Sequence, residues 1–269
     1  MKRLAATLLS AVFAVPVLSA PRAMTFAGFN GASLDRTEFK SIEFSYKDDD
    51  EVKINGGMPE YYDTSERMNT CANVAGATVL GYYDKDYDSM IENFTSTRVI
   101  MGHIIYTPQT DAVLDVMARL YDDMQTNVTE GGTTVANFKS GLQTYVNEQG
   151  RNISYTQVVS GQSLQADAYR QSIENGKPVV LFVSGYTIIA TNALNTESGV
   201  EEYYEQYYVG NHTVVGYGMR TIRYYNAAGN LVKQLDLVEV ATGNGYSPIG
   251  YISLDDYTNL VDGYAIDIY

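Results

Sequence analysis

The sequence predicts an α+β fold. Segments with the periodicity of amphipathic helices lie before Gly176, and short apolar runs typical of strands follow it. No internal repeat and no clear linker divides the chain. Helices that precede a set of antiparallel strands are typical of a single domain of this class.

The start of the chain has the pattern of a secretory signal peptide. Lys2 and Arg3 precede an apolar run that extends to about Ala20, and small residues up to Ala23 offer cleavage sites. We therefore assign residues 1–23 to a signal peptide and expect a secreted, extracellular protein. No later segment is apolar over a length that spans a bilayer, so no membrane attachment is expected after cleavage.

The next segment, residues 24–60, has a poor helix and core pattern. It contains one predicted strand at Glu38–Tyr46 and a predicted turn at the acidic run 48–51. We interpret it as an N-terminal extension or a short pro-segment that inhibits the protein or assists its folding. The main domain is then 61–269.

Four helices and a set of strands are predicted within this domain. The third helix begins after Thr134, a suitable N-cap, and ends before Gly150. The turn 226–230 joins two long strands into a hairpin. The predicted helices are 71–83, 111–124, 135–149 and about 163–175, and the predicted strands are 178–183, 203–209, 212–225, 231–240, 249–254 and 264–269.

The composition of the chain disfavours nucleic acid as a partner. The 269 residues include 32 Asp and Glu against 18 Lys and Arg, which gives a formal net charge of -14. An acidic chain of this kind is poorly suited to phosphate groups, so nucleic acid is not expected to bind. The spacing of Asp84, Asp86 and Asp88 is that of a calcium loop, but Ser89 and Thr95 replace the glycine and glutamate that such a loop needs. We expect a solvated loop there and no metal, although a looser calcium site stays open.

Cys71 is the only cysteine of the chain, so it cannot form an internal disulfide. It lies where a polar stretch runs into a helix of small residues. The first turn of a helix has free backbone N–H groups and the positive end of the dipole, and both favour thiolate over thiol. Cys71 is therefore the candidate nucleophile.

A thiol nucleophile needs a base, and the chain has two histidines. His103 lies in an apolar segment near a turn, which indicates a structural or surface role. His212 opens an apolar strand, at the rim of a core where sites are usually found. His212 is therefore the candidate base.

The hairpin register supplies a third candidate. If the turn is centred near position 228, paired positions sum to about 456, and Asn244 lies opposite His212. An asparagine carbonyl there could accept a hydrogen bond from the imidazole and fix the ring. A bulge that shifts the register by two would place Thr242 opposite instead. Asn244 also lies in a stretch rich in turn formers, so it is equally a candidate turn residue.

The order of these three residues along the chain resembles that of papain-fold cysteine peptidases. The local sequence is most similar to the bacterial branch related to double-glycine leader peptidases. Together the matching segments cover most of residues 60–250. They are Asn69–Gly76, Gly81–Asp84, Gly131–Thr134 with Gly141–Val146, Gly176–Val180 and Asn211–Tyr217.

This resemblance implies a thiol-dependent hydrolase that acts on a peptide or protein substrate and needs no cofactor. It assigns Cys71 as nucleophile, His212 as base and Asn244 as the orienting residue. Transglutaminases and other acyl transferases share this arrangement, so acyl transfer is an alternative reaction.

The chain departs from the family at the oxyanion hole. Such peptidases usually place a glutamine six residues before the cysteine, and this chain has Ser65 there. Asn69 could supply an amide instead. Because loss of one donor costs about 10²–10³ in rate, a catalytically weak extracellular binding protein is a further alternative.

Overall fold

A computed structural model describes residues 31–65, 67–88, 90–128 and 131–269. The predicted signal peptide lies outside this part of the chain, as do residues 24–30 of the predicted extension. Within it, the fold is mixed α+β, with helices packed on a large antiparallel sheet, as the sequence predicts. None of the described helices is both long enough and apolar enough to span a membrane.

Four helices are present among the described residues, close to their predicted bounds. The Thr134 side chain caps the third by accepting a hydrogen bond from the Asn137 N–H at 3.1 Å. The first is buried along its whole length, as its run of small residues indicates. The helices are α1 (Cys71–Asp84), α2 (Asp111–Asp123), α3 (Val135–Glu148) and α4 (Ala166–Glu174).

The strands also follow the predicted hairpin and the later apolar runs. The runs predicted at 203–209 and 212–225 form one strand of 27 residues, and the hairpin at 97–106 was not predicted. The described strands are β1 (Gly31–Phe44), β2 (Tyr46–Lys53), β3 (Thr97–Ile100), β4 (His103–Tyr106), β5 (Ile153–Gln157), β6 (Val159–Ser160), β7 (Ser163–Leu164), β8 (Val179–Ile189), β9 (Gly199–Tyr225), β10 (Leu231–Ala241), β11 (Ile249–Ser253) and β12 (Leu260–Ile268).

Four of these strands close into a ring. β9 pairs with β10, β10 with β11, β11 with β8, and β8 again with β9, all antiparallel. The length of β9 allows this, because its residues 206–216 pair with β8 and its residues 215–225 pair with β10. A small second core fills this part of the sheet, and Leu237, Ile222 and Tyr224 are among its buried members. The larger core lies between the sheet and the helices.

Residues 31–53 are strands of this sheet. β1 pairs with β9 from Gly31 to Phe44, and β2 pairs with the far end of β9. The acidic run 48–51, predicted as a turn, is part of β2, where Asp49 forms an ion pair with Arg220 at 2.7 Å. The prediction of a turn was wrong because its charges are paired with basic side chains of neighbouring elements and so tolerate an extended strand.

Asp84 also differs from its predicted environment. It is the last residue of α1 and is buried, where its carboxylate accepts hydrogen bonds from the N–H groups of Ile91 and Ser96 at 3.0 and 3.1 Å. Burial raises the pKa of this carboxyl group. The side chain therefore ties the following loop to the helix, and the prediction of a solvated position was wrong for Asp84.

Candidate functional site

Cys71 is the first residue of α1 and is buried, with 9% of its surface exposed. The first helical hydrogen bond runs from the Val74 N–H to the Thr70 carbonyl at 2.9 Å. The N–H groups of the residues between them therefore have no acceptor within the helix. The thiol lies at the end of the helix where these donors are exposed to a neighbouring element.

That neighbour is β9. On the side of β9 away from β8, the described pairs with β1 reach Asn211 and the pairs with β10 begin at Val215. The start of α1 contacts β9 at Thr213, between these two sets of pairs. The Cys71 Sγ lies 4.0 Å from Thr213 Oγ1, and the S–H group points to that oxygen as a weak donor.

Burial dominates the acidity of the thiol. The pKa of Cys71 is raised by loss of hydration, although the Thr213 hydroxyl and the backbone N–H groups of Thr213, Gly31 and Ala72 act in the opposite direction. The helix terminus alone leads one to expect a thiolate. The structure reverses that expectation, because its donors do not compensate for the lost water, and the resting group is a neutral thiol.

His212 is held through one ring nitrogen and is free at the other. Its Nε2 lies 2.8 Å from the Thr242 carbonyl oxygen. A carbonyl only accepts, so Nε2 carries the proton and Nδ1 is the basic nitrogen of the neutral ring. Nδ1 is buried and has no hydrogen-bond partner among the described residues. Burial lowers the pKa of the imidazole, which keeps this nitrogen unprotonated at neutral pH.

Tyr186 interacts with both the imidazole and the thiol. Its ring stacks on the His212 ring, with centroids 5.8 Å apart and planes inclined by 14°. A negative charge at Cys71 would raise the pKa of the same tyrosine. Tyr208 stacks on the other side of Tyr186 at 5.0 Å. Cys71 and His212 are thus linked through Thr213, which follows His212 in β9, and through Tyr186, and among the described residues no hydrogen bond joins the thiol to Nδ1.

Asn244 lies beside this pair but does not hold the ring. The hairpin register is as predicted, since paired positions of β9 and β10 sum to 456 or 457. However, β10 ends at Ala241, and the Thr242 N–H bonds to the Pro248 carbonyl at 2.8 Å. The chain turns before Asn244 can pair, and the Asn244 side chain accepts from the Tyr246 N–H at 3.0 Å. The alternative residue, Thr242, orients the imidazole through its backbone carbonyl.

Both predicted oxyanion-hole side chains are engaged elsewhere. The Asn69 amide donates to Asn127 Oδ1 at 2.6 Å, in a turn where Asn69 has a φ of 67°. Ser65 Oγ is exposed and donates to an Asp63 carboxylate oxygen at 2.9 Å. Asn127 additionally donates to the Met68 carbonyl at 3.1 Å. These contacts fix the segment that leads into Cys71.

An open cleft of about 580 Å³ gives access to His212. Tyrosines and glycines make up most of its wall, and one carboxylate, Asp63, contributes charge. Its lining residues are Gly31, Ala32, Tyr62, Asp63, Tyr186, Tyr208, His212, Gly243, Asn244, Gly245 and Tyr246. Within the described residues, no group of three or more His, Cys, Asp or Glu side chains could hold a metal ion.

Three residues near the thiol were not found from the sequence. Thr213 immediately follows His212, so its position next to the base is the only signal that could have drawn attention to it. Tyr186 and Gly31 carry no such signal, because one is among 24 tyrosines and the other lies in a different part of the chain. Their proximity depends on the pairing of β1 and β8 with β9.

Comparison of the chain with protein-family models, with curated proteins and with solved structures finds no match.

Proposed function

We propose that the protein is a thiol-dependent peptidase of papain-like architecture in which Cys71 attacks the substrate carbonyl and His212 is the general base. The observation that carries this proposal is the His212 ring. Its Nε2 is held by the Thr242 carbonyl, while its Nδ1 is buried, unpartnered and basic, beside the residue that contacts the thiol.

The proton chemistry follows from the resting states of the two groups. Since burial raises the pKa of the Cys71 thiol and lowers that of the His212 imidazole, both are neutral before substrate binds. Nδ1 takes the thiol proton as Sγ attacks the carbonyl carbon. The imidazolium then protonates the leaving amine, and water hydrolyses the thioester to release the acid product.

The backbone is the proposed source of oxyanion stabilisation. The Cys71 N–H has no acceptor within α1, whereas the Ser65 and Asn69 side chains are engaged with neighbours. An oxyanion hole with one strong hydrogen-bond donor in place of two would lower the catalytic rate by a factor of about 10²–10³. We therefore expect a slow peptidase unless substrate binding rearranges the segment before Cys71.

The proposed substrate is an extracellular peptide or protein. The pattern of residues 1–23 supports export, and the open cleft has the aromatic and backbone surfaces that an extended peptide chain can contact. The net charge of -14 disfavours nucleic acid as a partner.

Peptide cleavage by paired histidine and cysteine variants tests the proposal. We expect wild-type protein to cleave members of a mixed peptide library, as read by mass spectrometry, and Cys71→Ala and His212→Gln to lose at least 10³-fold in rate. His103→Gln is the matched control, because His103 is exposed on β4 and should leave the rate unchanged.

Product masses separate the alternative reactions. Amine incorporation in place of cleavage would indicate acyl transfer. Cleavage that persists in Cys71→Ala, or wild-type protein that binds peptides without modifying any of them, would contradict the proposed peptidase.

A further inference from the structure

The open cleft lies on the imidazole side of the proposed catalytic pair. His212 is among the described residues that line this cleft of about 580 Å³, and Cys71 is not. In the proposed reaction the acyl group stays on Cys71, while the leaving amine takes its proton from the His212 ring. The cleft is therefore placed to hold the part of the substrate that follows the scissile bond.

One wall of the cleft begins with two consecutive residues, Tyr62 and Asp63. The Tyr62 N–H donates to Gln109 Oε1 at 2.8 Å, which fixes the backbone at this point. The Tyr62 ring lies against the backbone of Gly245, where a Cβ would come within 2.8 Å of a ring carbon. The absence of a side chain at Gly245 thus lets the loop after β10 close against Tyr62, beside Asp63.

The Asp63 carboxylate is held in place by neutral donors. Its Oδ1 accepts a hydrogen bond from the Ser65 N–H at 2.7 Å, and its Oδ2 accepts one from Ser65 Oγ at 2.9 Å. Each oxygen keeps a further acceptor position. No described Lys or Arg side chain lines the cleft, so the negative charge of Asp63 is not balanced within the described wall.

Tyr246 adds an open aromatic face to the same wall. Its N–H donates to Asn244 Oδ1 at 3.0 Å, which holds the loop backbone, while 99% of its surface is exposed. The face of a tyrosine ring attracts a cation, and arginine is the most frequent partner of this kind. A fixed carboxylate and two tyrosine rings, Tyr62 and Tyr246, are therefore available to one ligand group in the cleft.

We propose that Tyr62, Asp63 and Tyr246 form a specificity subsite for a basic side chain, above all arginine, at the residue directly after the scissile bond. This inference rests on the proposed function. The aliphatic stem of such a side chain packs on the rings, and its head group donates to the Asp63 carboxylate. An acidic side chain is repelled by Asp63, and a neutral one leaves the carboxylate without a counter-charge.

The test uses two fluorescein-labelled peptides that differ only at one central residue, which is arginine or its neutral isostere citrulline. We expect the wild-type protein to cut the arginine peptide on the amino side of arginine, as located by mass spectrometry. We expect kcat/KM for this peptide to be about tenfold higher than for the citrulline peptide, because an exposed ion pair and a cation–π contact each contribute several-fold.

Three variants assign this preference to the subsite. Asp63→Asn and Tyr246→Ala should each lower the ratio of the two kcat/KM values to about threefold or less, since one of the two contacts is lost. The Tyr246 ring is exposed, so its removal leaves the fold intact. Glu60→Gln is the matched control, because it removes the same charge from an exposed position on a different cleft and should leave the ratio unchanged.

Binding reports on the subsite without catalysis. Fluorescence anisotropy with the Cys71→Ala protein measures the affinity for the two intact peptides. We expect about tenfold tighter binding of the arginine peptide, and we expect Asp63→Asn in the same background to remove most of this difference.

The outcomes separate this inference from the proposed function. Equal cleavage of both peptides, a cut anywhere other than before arginine, or a ratio that survives both Asp63→Asn and Tyr246→Ala would overturn the subsite and leave the peptidase standing. Cleavage of neither peptide, together with Asp63-dependent binding of the arginine peptide to Cys71→Ala, would keep the subsite and contradict the peptidase. Equal affinity for both peptides without any cleavage would contradict both.

Discussion

The reactivity of Cys71 is set by a balance between lost water and a few hydrogen-bond donors. Thr213 is the one side chain among these donors, and its hydroxyl faces the sulfur at 4.0 Å. A hydroxyl can rotate to donate to a thiolate, and a hydrogen bond to a charged group contributes about 1.5–3 kcal/mol. Thr213 is therefore a positioning residue for Cys71, the proposed nucleophile.

We expect Thr213→Val to slow alkylation of Cys71 by iodoacetamide about tenfold at pH 8, since the thiolate loses a donor worth at least about 1.5 kcal/mol. The pH profile of the labelling rate should move upward, in the direction that burial already moves the pKa of Cys71. Labelling rates between pH 6 and 10 provide the measurement.

Thr187→Val is the matched control for this change. Thr187 is a buried threonine of β8 whose hydroxyl has no described partner, so its replacement should leave the labelling rate unchanged and stabilise the fold slightly. An equal fall in rate in both variants would mean that the loss comes from general packing and not from the donor to sulfur.

At the scale of elements, α1 places Cys71, the proposed nucleophile, because small residues let this helix lie close to its neighbours. Gly81 shows how close, since a Cβ there would lie 2.5 Å from a ring carbon of Tyr61. Tyr61 is almost fully buried and cannot move aside into solvent. A Cβ added at Gly76, on the same helix, would lie 3.0 Å from the flexible ends of Leu120 and Met124 and in ordinary contact, at 3.8 Å, with the Phe138 ring.

We therefore expect Gly81→Ala to lower the free energy of unfolding by about 1–3 kcal/mol through overpacking. Gly76→Ala should change it by less than about 1 kcal/mol, because the gain in helix propensity offsets a contact that can relax. Urea denaturation of both variants measures the difference. Equal values would show that α1 is free to shift on the sheet.

The helices and the hairpin were predictable because each depends on local pattern. Residues close together in the sequence determine each of these features, namely the Thr134 cap, the apolar spacing of α2 and the turn after Tyr225. The orientation of His212 was not predictable, because it depends on where β10 stops pairing. The same holds for Asp49, whose partner Arg220 is distant in sequence, so an acidic run was mistaken for a turn.

At the scale of the whole molecule, β1 belongs to the fold even though it lies in the segment predicted as an extension. Phe44 is buried, with 4% exposed, and packs edge-on against Tyr224 at 4.9 Å in the second core. Phe39 lies on the same strand with 54% of its surface exposed, against Tyr204. Comparing substitutions of the two phenylalanines therefore tests whether β1 is a structural strand or a removable segment.

We expect Phe44→Ala to destabilise the protein by about 3–5 kcal/mol, as for other buried phenylalanines. Phe39→Ala should cost less than about 1 kcal/mol. Thermal unfolding monitored by circular dichroism provides the comparison. Two neutral variants would indicate that β1 is dispensable and would support its removal as a pro-segment.

Cys71 is buried close to Gly31, so the rate at which a reagent modifies the thiol reports on local opening of the structure at the start of β1. Since Cys71 is the only cysteine, total thiol modification of the chain reports on one atom. If modification requires the start of β1 to lift away, the ratio of native to denatured rates equals the equilibrium constant for that local opening. Each tenfold reduction of the modification rate in the native protein relative to the denatured protein corresponds to about 1.4 kcal/mol. The time course of modification therefore measures the free energy of opening at the start of β1.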